Sequence, residues 1–320
     1  MLERLDLKDR KLLFELDSNS RQPLSKIAKR IRVNKNTLKF RFSRLLKEGH
    51  ISGFYPVLDI SKLGYLSVRV YFNFFNTTPD KENQIFAYFA KHRLVGVVAE
   101  LETIYDVMIS VVVPDIYEFE KFWNEFKHLF RDSFQNEKIN IFTKVIHFKR
   151  KYLSPNADQK DFSEQVIGGS QKTDFDGIDL KIIALLTKNC RESALEMSKR
   201  LKLPSRTILY RIRQLEKKGI ILGYRINLDL EKIGYEYYKI NFQLHSLKNS
   251  KEIESFCKMN KNILFMDFTL SDYDFEVDVE IKNKAELYLL IKELKSKFGI
   301  KRYEIIAFKK YHKLQSILEI

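Results

Sequence analysis

The stretch NKNTLKFRFSRLLKEGHISGF, residues 34–54, returns as PSRTILYRIRQLEKKGIILGY, residues 204–224. Each opens on a residue suited to a helix start, Asn34 or Pro204. Each then sets apolar side chains on one face (Leu38, Phe42 and Leu45; Ile208, Ile212 and Leu215) and polar, largely basic ones on the other. Each stops at a glycine, Gly49 or Gly219, with a second at Gly53 or Gly223 that allows a sharp exit into a short strand or wing. The correspondence extends outward. Residues 6–72 lie over 176–242 at a constant offset of 170, and twenty-one positions agree, where about four would agree by chance. A period this long is no solenoid. It is one complete module written twice, a dimer in one chain, so the function is expected to be one that uses two-fold symmetry.

Two shorter helices are expected upstream of each stretch. In copy one, Asp6 or Asp9 caps a helix carrying Leu12, Leu13 and Leu16, and a second carries Leu24, Ile27, Ala28 and Ile31. Copy two repeats them with Ile182, Ile183 and Leu186, then Leu195, Met197 and Leu201. Three helices with a tight turn before the third make a helix-turn-helix. The polar face of the third helix presents Lys35, Asn36, Thr37, Lys39, Arg41 and Arg44 in copy one, and Ser205, Arg206, Thr207, Tyr210, Arg211, Arg213 and Gln214 in copy two. These are the side chains that contact phosphates, guanine and adenine edges and thymine methyls. Charge agrees. The net charge is +15, and residues 21–50 with residues 191–220 account for all of it. Two matched basic segments read as two docking surfaces for a polyanion, here double-stranded DNA.

At these residues the chain resembles the Lrp/AsnC (feast/famine) transcription regulators. The shared elements are the Asp-x-x-Asp start of the first helix, Arg21/Arg191, Lys29-Arg30/Lys199-Arg200 before the turn, Arg41/Arg211 in the third helix, and Gly-x-Ile-x-Gly. The family commonly has glycine in the turn; here Arg32 and Lys202 stand there, so a left-handed residue would be mildly strained. After Gly64-Tyr65 and Gly234-Tyr235 the pattern turns to period two, and each copy reads βαββαβ, a ferredoxin-like unit. In the family this is the effector and assembly (RAM) domain, whose sheets pair face to face. Its Gly-x-[Tyr/Phe]-Asp turn, near where amino acids bind, reads Thr103-Ile104-Tyr105-Asp106 and Ser271-Asp272-Tyr273-Asp274. Without the glycine these turns read as hairpin and dimer contacts before they read as an effector site.

The fold class is therefore α+β, with two winged helix-turn-helix domains (1–60 and 175–230), two ferredoxin-like domains (61–152 and 231–320) and a polar linker (153–174). The expected protein is a cytoplasmic, sequence-specific DNA-binding regulator, not an enzyme. Its copies pair within the chain, further self-association and a small-molecule effector are left open, and no cofactor is expected. Two cysteines give no disulfide framework, the six histidines have no metal-ligand spacing, and no apolar run reaches membrane length. One enzymatic alternative remains. Siroheme decarboxylases resemble the same family, some as tandem pairs of about this length. Their chemistry needs histidines facing an acidic tetrapyrrole, and His92 has no counterpart in Met259-Asn260-Lys261-Asn262 of copy two.

Overall fold

The computed structural model describes residues 5–153 and 164–314. Copy one runs α1 (Leu7–Ser18), α2 (Leu24–Ile31), α3 (Lys35–Lys47), β1 (Ile51–Leu58), β2 (Leu66–Phe74), α4 (Pro79–Lys91), β3 (Val95–Leu101), β4 (Val107–Val113), α5 (Ile116–Phe130), β5 (Phe134–His147) and the short β6 (Gln165–Ile167). Copy two runs α6 (Gly177–Lys188), α7 (Ala194–Leu201), α8 (Ser205–Lys217), β7 (Ile221–Leu228), the one-turn α9 (Leu230–Ile233), β8 (Glu236–Leu244), α10 (Ser250–Met259), β9 (Ile263–Leu270), β10 (Phe275–Ile281), α11 (Lys284–Phe298) and β11 (Ile300–Leu314).

Local chemistry explains the helix-turn-helix units. Asp6 caps α1: its carboxylate accepts the Asp9 amide at 2.8 Å, while the Asp9 carboxylate accepts the Asp6 amide at 3.2 Å. Asp176 and Asp179 repeat this capping box at α6. The turn residues Arg32 and Lys202 sit at φ +56° and +53°, so the left-handed turn is kept without a glycine, despite the strain the sequence reading set against it.

The strand that leaves each third helix does not stay with its own copy. β1 and β7 pair antiparallel as a two-stranded ribbon. The ribbon exchanges core residues between the units. Ile226, Ile233 and Tyr235 of copy two pack with Leu12, Leu16, Ile27 and Leu38 of copy one. Leu58 and Leu63 of copy one pack with Ile182, Met197, Ile208 and Ile212 of copy two. Neither helical unit has a complete core without the other copy.

The two ferredoxin-like sheets oppose each other, as expected, and their edges also join. Copy one supplies β5-β2-β4-β3 and copy two β11-β8-β10-β9; β3 pairs with β11 and β9 with β5. The result is a closed antiparallel barrel of eight strands, with β6 added beside the end of β5. Both closures have one cause. β5 pairs with β2 along residues 134–141 and with β9 along 141–147. β11 likewise begins on β8 and ends on β3. Outward residues of each sheet (Val68, Val70 and Phe72; Tyr238, Ile240 and Phe242) pack under that copy's own helices.

The expected linker, residues 153–174, is corrected at both ends. Tyr152 and Leu153 are buried in the first helical core. Gln165–Ile167 form β6, Gln165 donates to Leu222 O, and the Gly168 amide and Ser170 hydroxyl donate to Asp59. The segment attaches because its polar groups find fixed partners on the barrel and ribbon. The middle of the linker, residues 154–163, lies outside the described residues.

Candidate nucleic-acid interface

Of the residues expected on DNA, Lys35, Asn36, Thr37 and Lys39 of α3 are exposed, as are Arg206 and Tyr210 of α8. Ser205, Thr207 and Gln214 are half-buried. Arg213 is exposed as well, and the helices carry aromatic side chains at equivalent places: Phe40 is 69% and Tyr210 61% exposed. Phe40 was not among the expected contacts, although its pairing with Tyr210 across the repeat was the available signal.

Three expected contacts have other work. Arg41 donates to Asp6 at 2.7 Å and to Asp9 at 2.8 Å, and Arg44 donates to Asp9 at 2.6 Å. Arg211 donates to both oxygens of Asp176 at 2.9 and 2.8 Å and to Asp179 at 3.0 Å. The same carboxylates build the capping boxes, so each third helix is tied by charge-assisted bonds to the start of the first. Aspartates and arginines repeated in both copies are thus one structural device, and the exposed set around them is the face of each third helix left open to solvent.

The third helices are held at their other ends by the opposite copy. The Lys62 ammonium donates to Lys218 O, the C-cap carbonyl of α8, at 2.7 Å. Lys232 donates to Glu48 O, the C-cap carbonyl of α3, at 2.8 Å. A cation at a helix C-terminus satisfies a free carbonyl and the helix dipole together. Gly49 and Gly219 make room for it: each has positive φ, and a Cβ there would lie 2.5 Å from Lys232 Nζ or 2.8 Å from Lys62 Nζ. A second crossed pair sits at the axis. Arg21 donates to Cys190 O and Glu192 O, Arg191 donates to Ser20 O and Gln22 O, and Ser20 Oγ meets Cys190 Sγ at 3.1 Å. These contacts fix the relation of the two third helices, α3 and α8, within one chain.

The turns Thr103–Asp106 and Ser271–Asp274 have structural employment. The Asp106 carboxylate accepts the Phe74 amide at 2.8 Å, and that of Asp274 accepts the Leu244 amide at 2.7 Å. Tyr105 packs on Tyr71, and the Tyr273 hydroxyl donates to Glu304 at 2.8 Å. Cross-copy contacts run from Thr103 to the Ala307 amide and from Asp272 to Lys138. A cavity of about 510 Å³ adjoins Ser271, Tyr273 and Asp274.

Sequence reasoning missed the barrel interior. Lys239 is buried there, donating to Asp267 at 2.6 Å, Glu276 at 2.9 Å and Asp278 at 2.8 Å. Arg69, its counterpart in copy one, reaches Glu276 at 3.3 Å. Two cations thus face three carboxylates, and burial with the neighbouring Asp278 charge, opposed by Lys239, raises Asp267 to about 7. The alternation Phe-Glu-Val-Asp-Val-Glu-Ile at 275–281 gives β10 one apolar and one acidic face, and closure of the barrel puts the acidic face inside. No grouping of His, Cys, Asp and Glu among the described residues suits a metal ion, and none of their helices is long and apolar enough to cross a membrane.

Comparison with known proteins agrees with this geometry. The family profile for winged helix-turn-helix DNA-binding domains matches twice, at residues 5–51 and 175–221. An uncharacterized HTH-type transcriptional regulator of Pyrococcus abyssi is 32% identical over 128 residues, spanning 40% of this chain and 87% of that protein. The HTH-type transcriptional regulator FL11 of Pyrococcus furiosus is 31% identical over 141 residues, 43% of this chain and 92% of that protein. Over the full length, the chain is similar in fold to the siroheme decarboxylase NirDL, with a TM-score of 0.65, 14% identity, and coverage of 97% of this chain and 93% of that one.

Proposed function

The chain belongs to the Lrp/AsnC-type helix-turn-helix regulators, as a tandem duplication of the regulator module, and from that premise we propose that it is a sequence-specific transcription regulator that binds double-stranded DNA as a covalent pseudo-dimer. The observation that carries the reading is the pair of exposed faces on α3 and α8, each held by ion pairs to its own first helix and by a lysine of the other copy at its C-terminus. In this mechanism the two helices enter successive major grooves on one side of the duplex. Lys35, Asn36, Thr37 and Lys39 act in one half-site; Arg206, Thr207, Tyr210 and Arg213 act in the other. Asn36 has the chemistry for adenine, and Arg206 or Arg213 for guanine. Because the two sets differ, the preferred operator is asymmetric.

Phosphate neutralisation sets the test. Each phosphate contact contributes about −0.9 to the slope of log affinity against log salt, so two helix-turn-helix units predict a slope of roughly −5 or steeper. Fluorescence anisotropy of a selected duplex across a salt series measures it. Salt-independent binding, or no binding to a random pool, contradicts the proposal.

A second reading, a siroheme-decarboxylase-like enzyme, draws support from the full-length likeness to NirDL, which is one of fold. Incubation with siroheme and mass analysis for loss of carboxyl groups tests it. The exposed basic helices favour DNA.

A further inference from the structure

The two places where a helical unit meets the barrel are related by the internal repeat, yet one is filled and the other is hollow. At the filled junction Asp17, at the end of α1, meets Arg225 at 2.7 Å and Arg150 at 2.5 Å. Arg150 also pairs with Glu280 of β10 at 2.8 and 3.0 Å, and Tyr152 donates to the same carboxylate. At the opposite junction the repeat puts Thr187 for Asp17, Tyr55 for Arg225 and Val112 for Glu280. No equivalent ionic network can form there. Instead a cavity of about 790 Å³ opens between the β1–β7 ribbon, the end of α6 and the mouth of the barrel, with Tyr55 and Thr187 in its wall.

The cavity wall has a definite chemistry. Phe54, Val95, Leu228, Leu264 and Phe265 give it an apolar body. Arg93, Lys188 and Lys313 bring three positive charges to the wall, where the only carboxylate, Glu280, is already paired with Arg150. His147 lines both this cavity and a smaller one that leads to Arg69, Asp267 and Asp278 inside the barrel. Its Nδ1 is buried and has no hydrogen-bond partner among the described residues. Eight-stranded barrels of this kind hold either packed side chains or one small ligand. The volume lies in the range of sites for cofactor- or drug-sized molecules.

We propose that the cavity on the Tyr55–Thr187 side is a binding site for an organic anion with an aromatic or fused-ring body. The rings lie against Phe54, Leu264 and Phe265; the anionic group faces Arg93 and Lys188; and His147 offers one polar contact deeper in. Ser52 to Tyr55 are on β1 and Asn227 and Leu228 on β7, so the ligand bears directly on the ribbon that joins the reading helices. Occupancy therefore changes DNA affinity, a consequence that rests on the DNA-binding reading, whereas the site itself does not.

The test uses the full chain and two probes, the aromatic sulfonate 8-anilinonaphthalene-1-sulfonate and its neutral relative N-phenyl-1-naphthylamine, followed by fluorescence. The sulfonate is expected to bind saturably at one per chain and more tightly than the neutral probe. Arg93→Glu should weaken it about tenfold, the value of one charge-assisted contact. A Tyr55→Arg, Thr187→Asp double variant, which installs the Asp17–Arg225 pair in the hollow junction, should abolish sulfonate binding while thermal unfolding stays cooperative. Absence of saturable binding, equal affinity for both probes, or an unchanged affinity in Arg93→Glu overturns the proposal. A DNA titration with and without the sulfonate separates the two claims: probe binding without any DNA binding keeps the site and removes the regulatory reading.

Discussion

The two halves of the barrel grow from one sequence pattern and hold opposite interiors. Outward positions agree in kind: Val68, Val70 and Phe72 of copy one correspond to Tyr238, Ile240 and Phe242 of copy two, all buried under helices. Inward positions do not agree. Ala99, Met108, Ser110 and Val112 of copy one correspond to Asp267, Glu276, Asp278 and Glu280 of copy two. Only the cations Arg69 and Lys239 occur at equivalent places in both. A homodimer of copy two would have to duplicate Asp267, Glu276, Asp278 and Glu280, setting at least eight acids around the axis. Fusion removes that constraint, because one copy can supply the carboxylates and the other the space. The outward faces carry the fold and stay alike, and the inward faces have diverged.

The largest expected effects come from breaking the charged half. Arg150→Met leaves Asp17 and Glu280 buried with one partner fewer, and Lys239→Met leaves three carboxylates facing Arg69 alone. Each should cost about 3–5 kcal/mol in urea unfolding, the usual penalty for an uncompensated buried charge. Thr187→Ala, at the place in copy two equivalent to Asp17, should stay within about 1 kcal/mol. Equal losses in Asp17→Ala and Thr187→Ala, with Asp17→Ala expected to match Arg150→Met, would erase the asymmetry.

Protonation sharpens the comparison because two groups pull in opposite directions. Asp267 is raised to about 7, chiefly by burial. The folded state therefore holds a proton that the unfolded chain releases near pH 4, and this contribution to stability is lost as pH rises from about 4 to 7. His147 is pushed well below its ordinary range by burial and by Arg225 and Arg150. The unfolded chain then binds the extra proton, and stability falls as pH drops below about 6.5. Asp267→Asn should remove the first slope and His147→Phe the second, each limited to about 1.4 kcal/mol per pH unit. Urea midpoints between pH 4.5 and 8 measure both; matching pH profiles for the two variants would contradict the assignment.

The helix-turn-helix units should respond alike in stability, by smaller amounts. Lys62→Met and Lys232→Met each remove one cross-copy cap and should cost about 0.3–1 kcal/mol, with a larger relative effect on DNA affinity because the reading helices lose their fixed relation. Smallest of all, Arg32→Asn and Lys202→Asn should stabilise by up to about 1 kcal/mol, because asparagine tolerates the left-handed turn better. A loss at either site would mean that the basic side chain itself is needed.

Much of this was readable in the sequence, and the boundary has physical reasons. Helix periodicity, caps and the offset of 170 located both helical units, because those signals are local. The period-two strands were also local, and βαββαβ followed from them. Barrel closure was not readable, since the pairings β3–β11 and β5–β9 join residues far apart in the chain. Without closure, nothing in the chain places Glu276, Asp278 and Glu280 in an interior, since an alternating strand has a polar face either way. Arg41 and Arg211 were placed on DNA because a basic residue on a third helix has two possible partners, and only the fold brings Asp6, Asp9, Asp176 and Asp179 within 3.0 Å of them. The docked linker was hidden for the same reason, its partners Asp59 and Leu222 lying elsewhere in the chain.

The central claim is that one chain is a complete, asymmetric dimer on DNA. The most direct measurement is selection of binding sites from a random duplex pool, followed by the stoichiometry of the complex on the selected site. The account predicts one chain bound across two half-sites of different sequence, their centres about 10 base pairs or a multiple of that apart. A perfect palindrome occupied by two chains, or a pool that enriches for no sequence, would contradict it.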